Sequence, residues 1–351
     1  MKKKYILFCG ILTLTFCMGI LAGCGNTENN GNAQTSSSLS ESISKTRNTT
    51  EENEIETKQK TVDFSVIPDG FRVVTIGSGS PGTDLERGNA STLVQYQDKY
   101  FLVDCGYGTC QTLTELGLGV EQIHNVLFTH QHEDHNADFN HFLLSGWYHT
   151  PEGRTSITVV GPQTQLLYDS VYMINKDDID GRIAVGSMQE AGISEAGISE
   201  NVQIYDVTDT DYSMELDGVQ IDMHKVTHGN MQAYSIRFSA GNQSVVVTGD
   251  LGYTDDLSSF YKDTDILVVD SMTLTGYFSQ MPEKQVENIM TGNHMTKGQM
   301  AKIFADSAAK NVILSHANGE YDDLQATMQY FKENGCQGEI YAAYDGFTLE
   351  P

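Results

Sequence analysis

The sequence has 351 residues, with 47 acidic and 21 basic side chains and a formal net charge of −26. That length admits one large or two ordinary domains. A surface so acidic repels polyanions, and no basic stripe breaks it, so nucleic acid is not expected as a substrate.

Met1-Lys2-Lys3-Lys4 is a basic start, and Tyr5 to Leu21 is an apolar run without a charge that ends in Leu21-Ala22-Gly23-Cys24. A basic start, a short apolar core and small residues before a cut site describe a secretory signal. A Cys directly after Leu-Ala-Gly resembles the lipobox of a bacterial lipoprotein signal. The resemblance implies a signal over residues 1–23 and a lipid on Cys24, which would be the membrane contact. An uncleaved N-terminal anchor would equally leave the domain outside the cytoplasm. From Gly25 to Lys60 there is no aromatic residue and little aliphatic content. Such a segment cannot offset its ordering entropy by burial, so residues 24–61 are expected to form a polar tether. The folded domain is expected over residues 62–351. Three cysteines fall within it, Cys105, Cys110 and Cys336, an odd number without zinc-ribbon spacing, so no disulfide framework is expected.

Along the domain, Phe71 to Ile76 reads as a strand that runs into the glycine turn Gly77 to Gly82. No Lys-Ser/Thr follows those glycines, so they suggest a tight turn rather than a phosphate loop. Ser91 to Tyr96 and Tyr100 to Asp104 read as the next strands, Thr109 to Leu118 as a helix, and Val126 to Thr129 as a buried strand. Later strands are expected at Ser156 to Val160, Val219 to Val226, Ala233 to Ser239, Ser244 to Thr248, Ile266 to Val269 and Val312 to Ser315. Helices are expected at Gln299 to Ala309 and Tyr321 to Asn334. Strands that first meander and then alternate with helices suggest a mixed α/β sandwich. The stretch Gln163 to Tyr205, with its short tandem EAGIS, reads as helices and loops that could cover a cleft.

The stretch THQHEDHNAD, Thr129 to Asp138, crowds three histidines and three acids behind one apolar strand. Imidazole nitrogens and carboxylate oxygens suit borderline cations such as zinc. A loop leaving a strand can aim His130 and His132 at one ion. Asp134 and His135, further along, can face a second. Other residues of this chemistry stand at strand ends: His228 before Gly229, Asp250 at the end of SVVVTGD, and His316 after NVILS. By contrast His224, His124, His141 and His149 read as structural or surface residues.

THxHxDH after an apolar strand resembles the signature of the metallo-β-lactamase fold superfamily. Further stretches resemble its ribonuclease Z and arylsulfatase-like branch in order. They are IGSGSPG, NASTLVQYQDKYFLVDCGYGTCQTL, KVTHGNMQAYSIRF, SVVVTGD, NHMTKGQMAKIFADSAAKNVILSHANG and AAYDGFTLEP. The resemblance implies a four-layer αββα sandwich. It also implies two divalent metal ions, zinc or else manganese or iron, sharing a hydroxide that attacks an ester. His130, His132 and His228 would hold one ion, Asp134, His135 and His316 the other, and Asp250 would bridge them. His294 would act near the leaving group, with Asp270 orienting it and Asp134 beside the reacting atoms. A phosphodiester is the first choice of substrate, ahead of an aryl sulfate, a lactone or another carboxylic ester. The other class of function is a metal- or ligand-binding lipoprotein without catalysis. Two departures bear on this. Only 21 residues separate His228 from Asp250, leaving no room for the long tRNA-gripping insertion of cytoplasmic ribonuclease Z. Asp250 also stands where a zinc β-lactamase carries Cys. These departures favour a small-molecule ester.

Overall fold

A computed structural model describes residues 61–351 apart from 83, 150–152, 186–189 and 191–192. The expected signal, Cys24 and all of the expected tether but its last residue lie outside the described residues. The compact unit that holds the described residues runs from Lys58 to Pro351. Among the described residues no helix is long and apolar enough to cross a membrane.

Among the described residues, fourteen strands form two seven-stranded sheets. The first contains β1 (Phe71–Gly77), β2 (Ser91–Tyr96), β3 (Lys99–Val103), β4 (Asn125–Leu127), β5 (Ile157–Gly161) and β6 (Val202–Asp206), with β14 (Phe347–Leu349) beside β1. The second contains β7 (Tyr212–Leu216), β8 (Val219–His228), β9 (Met231–Ala240), β10 (Gln243–Val247), β11 (Ile266–Asp270), β12 (Asn311–Ser315) and β13 (Glu339–Ala342). In each sheet an antiparallel meander passes into parallel strands. The parallel runs are β3 through β6 and β10 through β13.

Strand residues alternate between faces with a period of two, and this alternation sorts the apolar residues into three layers. Val73, Val94, Phe101, Val103 and Leu127 from the first sheet meet Ile221, Ile236, Phe238, Val245 and Val268 from the second. Phe101 and Phe238 meet across that middle layer with centroids 5.6 Å apart and ring planes tilted by 57°. The intervening residues Val74, Leu102 and Val126 face Leu113, Phe139, Phe142 and Trp147 on the first helical layer. On the other side Val246, Leu267, Val269 and Leu314 face Ile303, Phe304 and Phe331. The result is the αββα sandwich that the resemblance implies.

Several elements differ from the sequence reading. Helix Phe139–Tyr148 is apolar on most sides, and Phe139, Phe142, Leu143, Leu144 and Trp147 are all buried, so it has no readable polar stripe. The stretch Gln163 to Tyr205 contains helices Thr164–Ile174 and Lys176–Ala184 and ends in β6. Its Leu167, Tyr168, Tyr172 and Ile183 pack on the first helical layer, so these residues thicken that layer instead of covering a cleft. Helix Lys297–Ser307 begins two residues before the expected start. Thr296 caps it, with a reciprocal bond from Gln299 closing a capping box.

Candidate metal centre

Parallel strands share a direction, so their C-terminal ends lie along one edge, and the chemistry-bearing residues sit there. His130 and His132 follow β4, His228 ends β8, Asp250 follows β10, Asp270 ends β11 and His316 follows β12. Asp134 and His135 lie on the short helix Glu133–Asn136 beyond β4. The glycine turn after β1 runs beside this edge, where Gly79 bridges to Ala317 next to His316.

The local backbone is bent to reach this arrangement. Gly249 has φ +60, and a Cβ there would stand 2.7 Å from the Thr129 side chain, so no other residue fits without displacement. Asp104 and His316 adopt left-handed φ values of 60 and 58 without being glycine. Such a conformation costs about 1–3 kcal/mol and collects at functional sites.

Two clusters meet at Asp250. One ligand atom from each of His130, His132, His228 and Asp250 lies within 4.8 Å of the others, as do those of Asp134, His135 and His316. Asp250 Oδ2 faces His130 Nε2 at 3.9 Å and His228 Nε2 at 3.8 Å. Its Oδ1 faces His135 Nε2 and His316 Nδ1, each at 3.4 Å. Asp134 Oδ2 lies 3.2 Å from His316 Nε2, and His132 Nδ1 lies 3.1 Å from His228 Nε2. The structure brings the seven residues together, and it also gathers ligand atoms of Asp250, Asp270, His294 and His316 within 4.8 Å of one another, a grouping the sequence did not suggest.

The remaining ring nitrogens are tied down from behind. His135 Nδ1 meets Asp104 Oδ2 at 2.8 Å, His228 Nδ1 meets the Asn293 carbonyl at 2.9 Å, and His130 Nδ1 meets Thr129 Oγ1 at 3.1 Å. Asp270 serves two rings, His294 Nδ1 at 2.6 Å and His316 Nδ1 at 3.0 Å. Such outer partners fix ring orientation and raise donor strength in metal sites. Asp104 is the residue that the sequence reading passed over. It also accepts from the Thr129 amide and hydroxyl. Its signal was present: VDCG places an acid at a strand end, as SVVVTGD and ILVVD do.

The buried polar atoms test whether this donor set fits cations. His130 Nε2, His135 Nε2 and Asp250 Oδ1 are buried and have no hydrogen-bond partner. An unpaired buried polar group costs free energy, and these three point into the same space. Imidazoles and carboxylates converging on one space suit divalent cations. The burial and the carboxylates also shift the proton affinities of the rings. Burial holds His130 well below the usual histidine range, and burial lowers His228 too. Burial would also depress His316, but Asp250, Asp134 and Asp270 outweigh it and raise the ring to about 10. His135 is raised in the same way by Asp250 and Asp104 against the effect of burial. Burial works to raise the Asp270 carboxyl, yet His294 and His316 hold it at about 2.

The residues read as structural lie apart from the clusters. His224 bridges Asp211 and Asp256 at 3.1 Å each, and His124, His141 and His149 are exposed. Cys105, Cys110 and Cys336 are buried free thiols.

Comparison with known proteins shows the family. Residues 71–301 match the family described as anti-Pycsar protein Apyc1. Ribonuclease Z of Mycobacterium bovis (strain BCG / Pasteur 1173P2) is 27% identical over 222 residues, covering 62% of this chain and 76% of the relative. The metallo-β-lactamase fold protein YhfI from Bacillus subtilis superposes with a TM-score of 0.58 at 18% identity, covering 81% of this chain and 100% of its own. Human tRNase Z, short form, gives a TM-score of 0.57 at 16% identity, with coverages of 79% and 98%. These relatives correct one expectation. Nucleic acid was not expected as a partner, whereas ribonuclease Z and tRNase Z are named for acting on RNA. The expectation rested on the short spacing between His228 and Asp250, on the expected signal and on formal charge summed over the whole sequence, and a summed charge carries no information about the potential within one cleft. The chain is a metal-dependent hydrolase of the metallo-β-lactamase fold, and it belongs to the family described as anti-Pycsar protein Apyc1.

Proposed function

We propose that the chain is a phosphodiester hydrolase that works with two divalent cations, zinc first among them, and that it is held outside the cytoplasm by a lipid on Cys24. The observation that carries the catalytic part is Asp250 standing between the two clusters, with Oδ2 towards His130 and His228 and Oδ1, buried without a hydrogen-bond partner, towards His135 and His316. His130, His132 and His228 would hold one cation, and Asp134, His135 and His316 the other, with Asp250 between them. Bound divalent cations supply Lewis acidity there and lower the pKa of water to roughly 7.

This chain's own residues supply the rest. Asp104, Asp270 and Asn293 hold ring planes so that the free nitrogens face inward. Burial works to lower the His294 pKa, but Asp270 outweighs it and raises the ring. A protonated imidazole at the edge of the cluster can donate to the leaving oxygen as the diester bond breaks. Asp270 keeps the other nitrogen of His294 engaged, which leaves Nε2 as the donor. A leaving alkoxide needs such a proton, and the likeness to ribonuclease Z supports a phosphodiester as its source. The lipid anchor rests on the sequence LAGC at Leu21 to Cys24.

Two measurements test the reading. Purified protein should cleave bis-p-nitrophenyl phosphate or an RNA diester faster than an aryl sulfate or a lactone; the reverse order defeats the phosphodiester assignment. Cells expressing the chain should incorporate labelled palmitate into it, and Cys24→Ala should abolish the label. Equal label in both forms removes the lipoprotein assignment.

A further inference from the structure

The closing motif AAYDGFTLEP has no part in this chemistry, yet one of its residues reaches the metal edge. β14 runs antiparallel to β1 and pairs Phe347 with Thr75, so the turn before β14 lies beside the chain leaving β1. Gly346, at φ +86, donates its amide to the Thr75 carbonyl at 2.7 Å and fixes that turn. Asp345 then meets both arms of the glycine loop, residues 78–80 and 87–89. Its Oδ1 accepts from the Ser78 amide at 2.9 Å and from the Ser78 hydroxyl at 2.8 Å. Its Oδ2 accepts from the Gly88 amide on the opposite arm at 2.6 Å. Arg87 adds a second tie, since its Nη1 donates to Ser78 Oγ at 2.9 Å and to the Ala343 carbonyl at 2.8 Å. The arms themselves touch, with the Gly79 amide donating to the Gly88 carbonyl at 2.8 Å.

These arms hold the chain that leaves β12. The Ala317 amide donates to the Ser78 carbonyl at 2.8 Å, and the Ala317 carbonyl accepts from the Ser80 amide at 3.1 Å. On the other flank the Ser315 carbonyl accepts from the Ser271 amide at 2.8 Å and from the Ser271 hydroxyl at 2.6 Å. His316 stands between these two fixed neighbours, in the left-handed conformation at φ 58. A residue with a side chain keeps that conformation only where its surroundings hold it. The Ser315 flank continues the pairing of β11 with β12. The Ala317 flank depends on Ser78, and so on Asp345.

We propose that Asp345 is a positioning residue of the metal centre: by clamping Ser78 to Gly88 it holds Ala317, and through Ala317 the strained backbone that aims His316 at its cation. The proposal deepens the two-cation reading and rests on it. Without the clamp, Ala317 is released and His316 relaxes toward ordinary backbone angles. The cation shared with Asp134 and His135 then loses one well-aimed ligand. The other cation is spared, because His130 and His132 follow β4 and His228 ends β8.

Two variants of the full chain test this. Asp345→Asn removes one of the two acceptor oxygens, and Asp345→Ala removes both. Zinc affinity is measured by competition with a chromophoric chelator, and hydrolysis of bis-p-nitrophenyl phosphate is followed at limiting and at excess zinc. In Asp345→Ala one zinc should bind about 5–150-fold more weakly, the factor equivalent to one residue's left-handed strain. Asp345→Asn should lose less, and excess zinc should restore turnover in both. Phe347→Ala alters the same strand but leaves the clamp in place, so it should lower the thermal midpoint with both zinc affinities unchanged. Unchanged zinc affinity in Asp345→Ala overturns the proposal, and so does an equal loss at both sites. Amide exchange at Ala317 in metal-free protein reads the clamp by itself: it should quicken in Asp345→Ala, and an unaltered rate overturns the proposal. Wild-type protein that binds no zinc overturns the two-cation reading instead, and the Ala317 exchange is read independently of it.

Discussion

At the scale of single residues, Asp250 and Asp104 do different work. Asp250 presents one carboxylate oxygen to each cluster, so Asp250→Ala should reduce both ions' occupancy, measured by elemental analysis of the purified variant. Full metal content in that variant removes the bridging assignment. Asp104 reaches the centre through His135 Nδ1, so Asp104→Ala should weaken one ion by about 10–100-fold and leave the other. Calorimetry resolves the two sites. His294 stands at the edge, and its loss should lower kcat by about 10²–10⁴ with both ions retained. A fall in metal content would make His294 a ligand instead. The residues that converge at this edge were readable because His and Asp recur at strand ends in motifs that resemble those of a known family. Their partners were less so: Asp104 looks like any acid closing a strand, and the Asn293 contribution is a backbone carbonyl, which no side-chain pattern reveals.

At the scale of elements, the site depends on turns that admit few residues. Gly249 combines φ +60 with a 2.7 Å approach to Thr129, so Gly249→Val should abolish metal binding while circular dichroism still reports a folded chain. Normal metal content would show that the turn after β10 tolerates a side chain. The middle layer is robust by comparison. Phe101→Ala should cost about 3–5 kcal/mol by opening a cavity against Phe238, read as a lowered midpoint in urea, with the metal ligands untouched. The strands of that layer were readable because alternation separates Val73 from Val74 and Val245 from Val246. Edge strands β6 and β7 were not, since both are short and half-exposed along their length. Helix Phe139–Tyr148 hid for the opposite reason, being apolar on nearly every side.

At the scale of the whole molecule, the sandwich brings strand ends from two sheets to one edge, and neither sheet alone holds a complete site. The first supplies His130, His132, Asp134 and His135, and the second supplies His228, Asp250 and His316. Metal should therefore stabilise the assembled sandwich as a unit, with a thermal midpoint that rises with zinc concentration. Metal uptake should also release protons at neutral pH. His316 in the metal-free protein stays protonated up to about 10, so a cation must displace that proton, and affinity must fall as the pH is lowered. Uptake without proton release would contradict the placement of His316 as a ligand.

The most direct test is a zinc titration of metal-stripped protein with hydrolysis of a phosphodiester followed at each addition. The account predicts no activity in the stripped protein and a rise that reaches its plateau at two equivalents. A plateau at one equivalent, or two equivalents bound without hydrolysis, would contradict it.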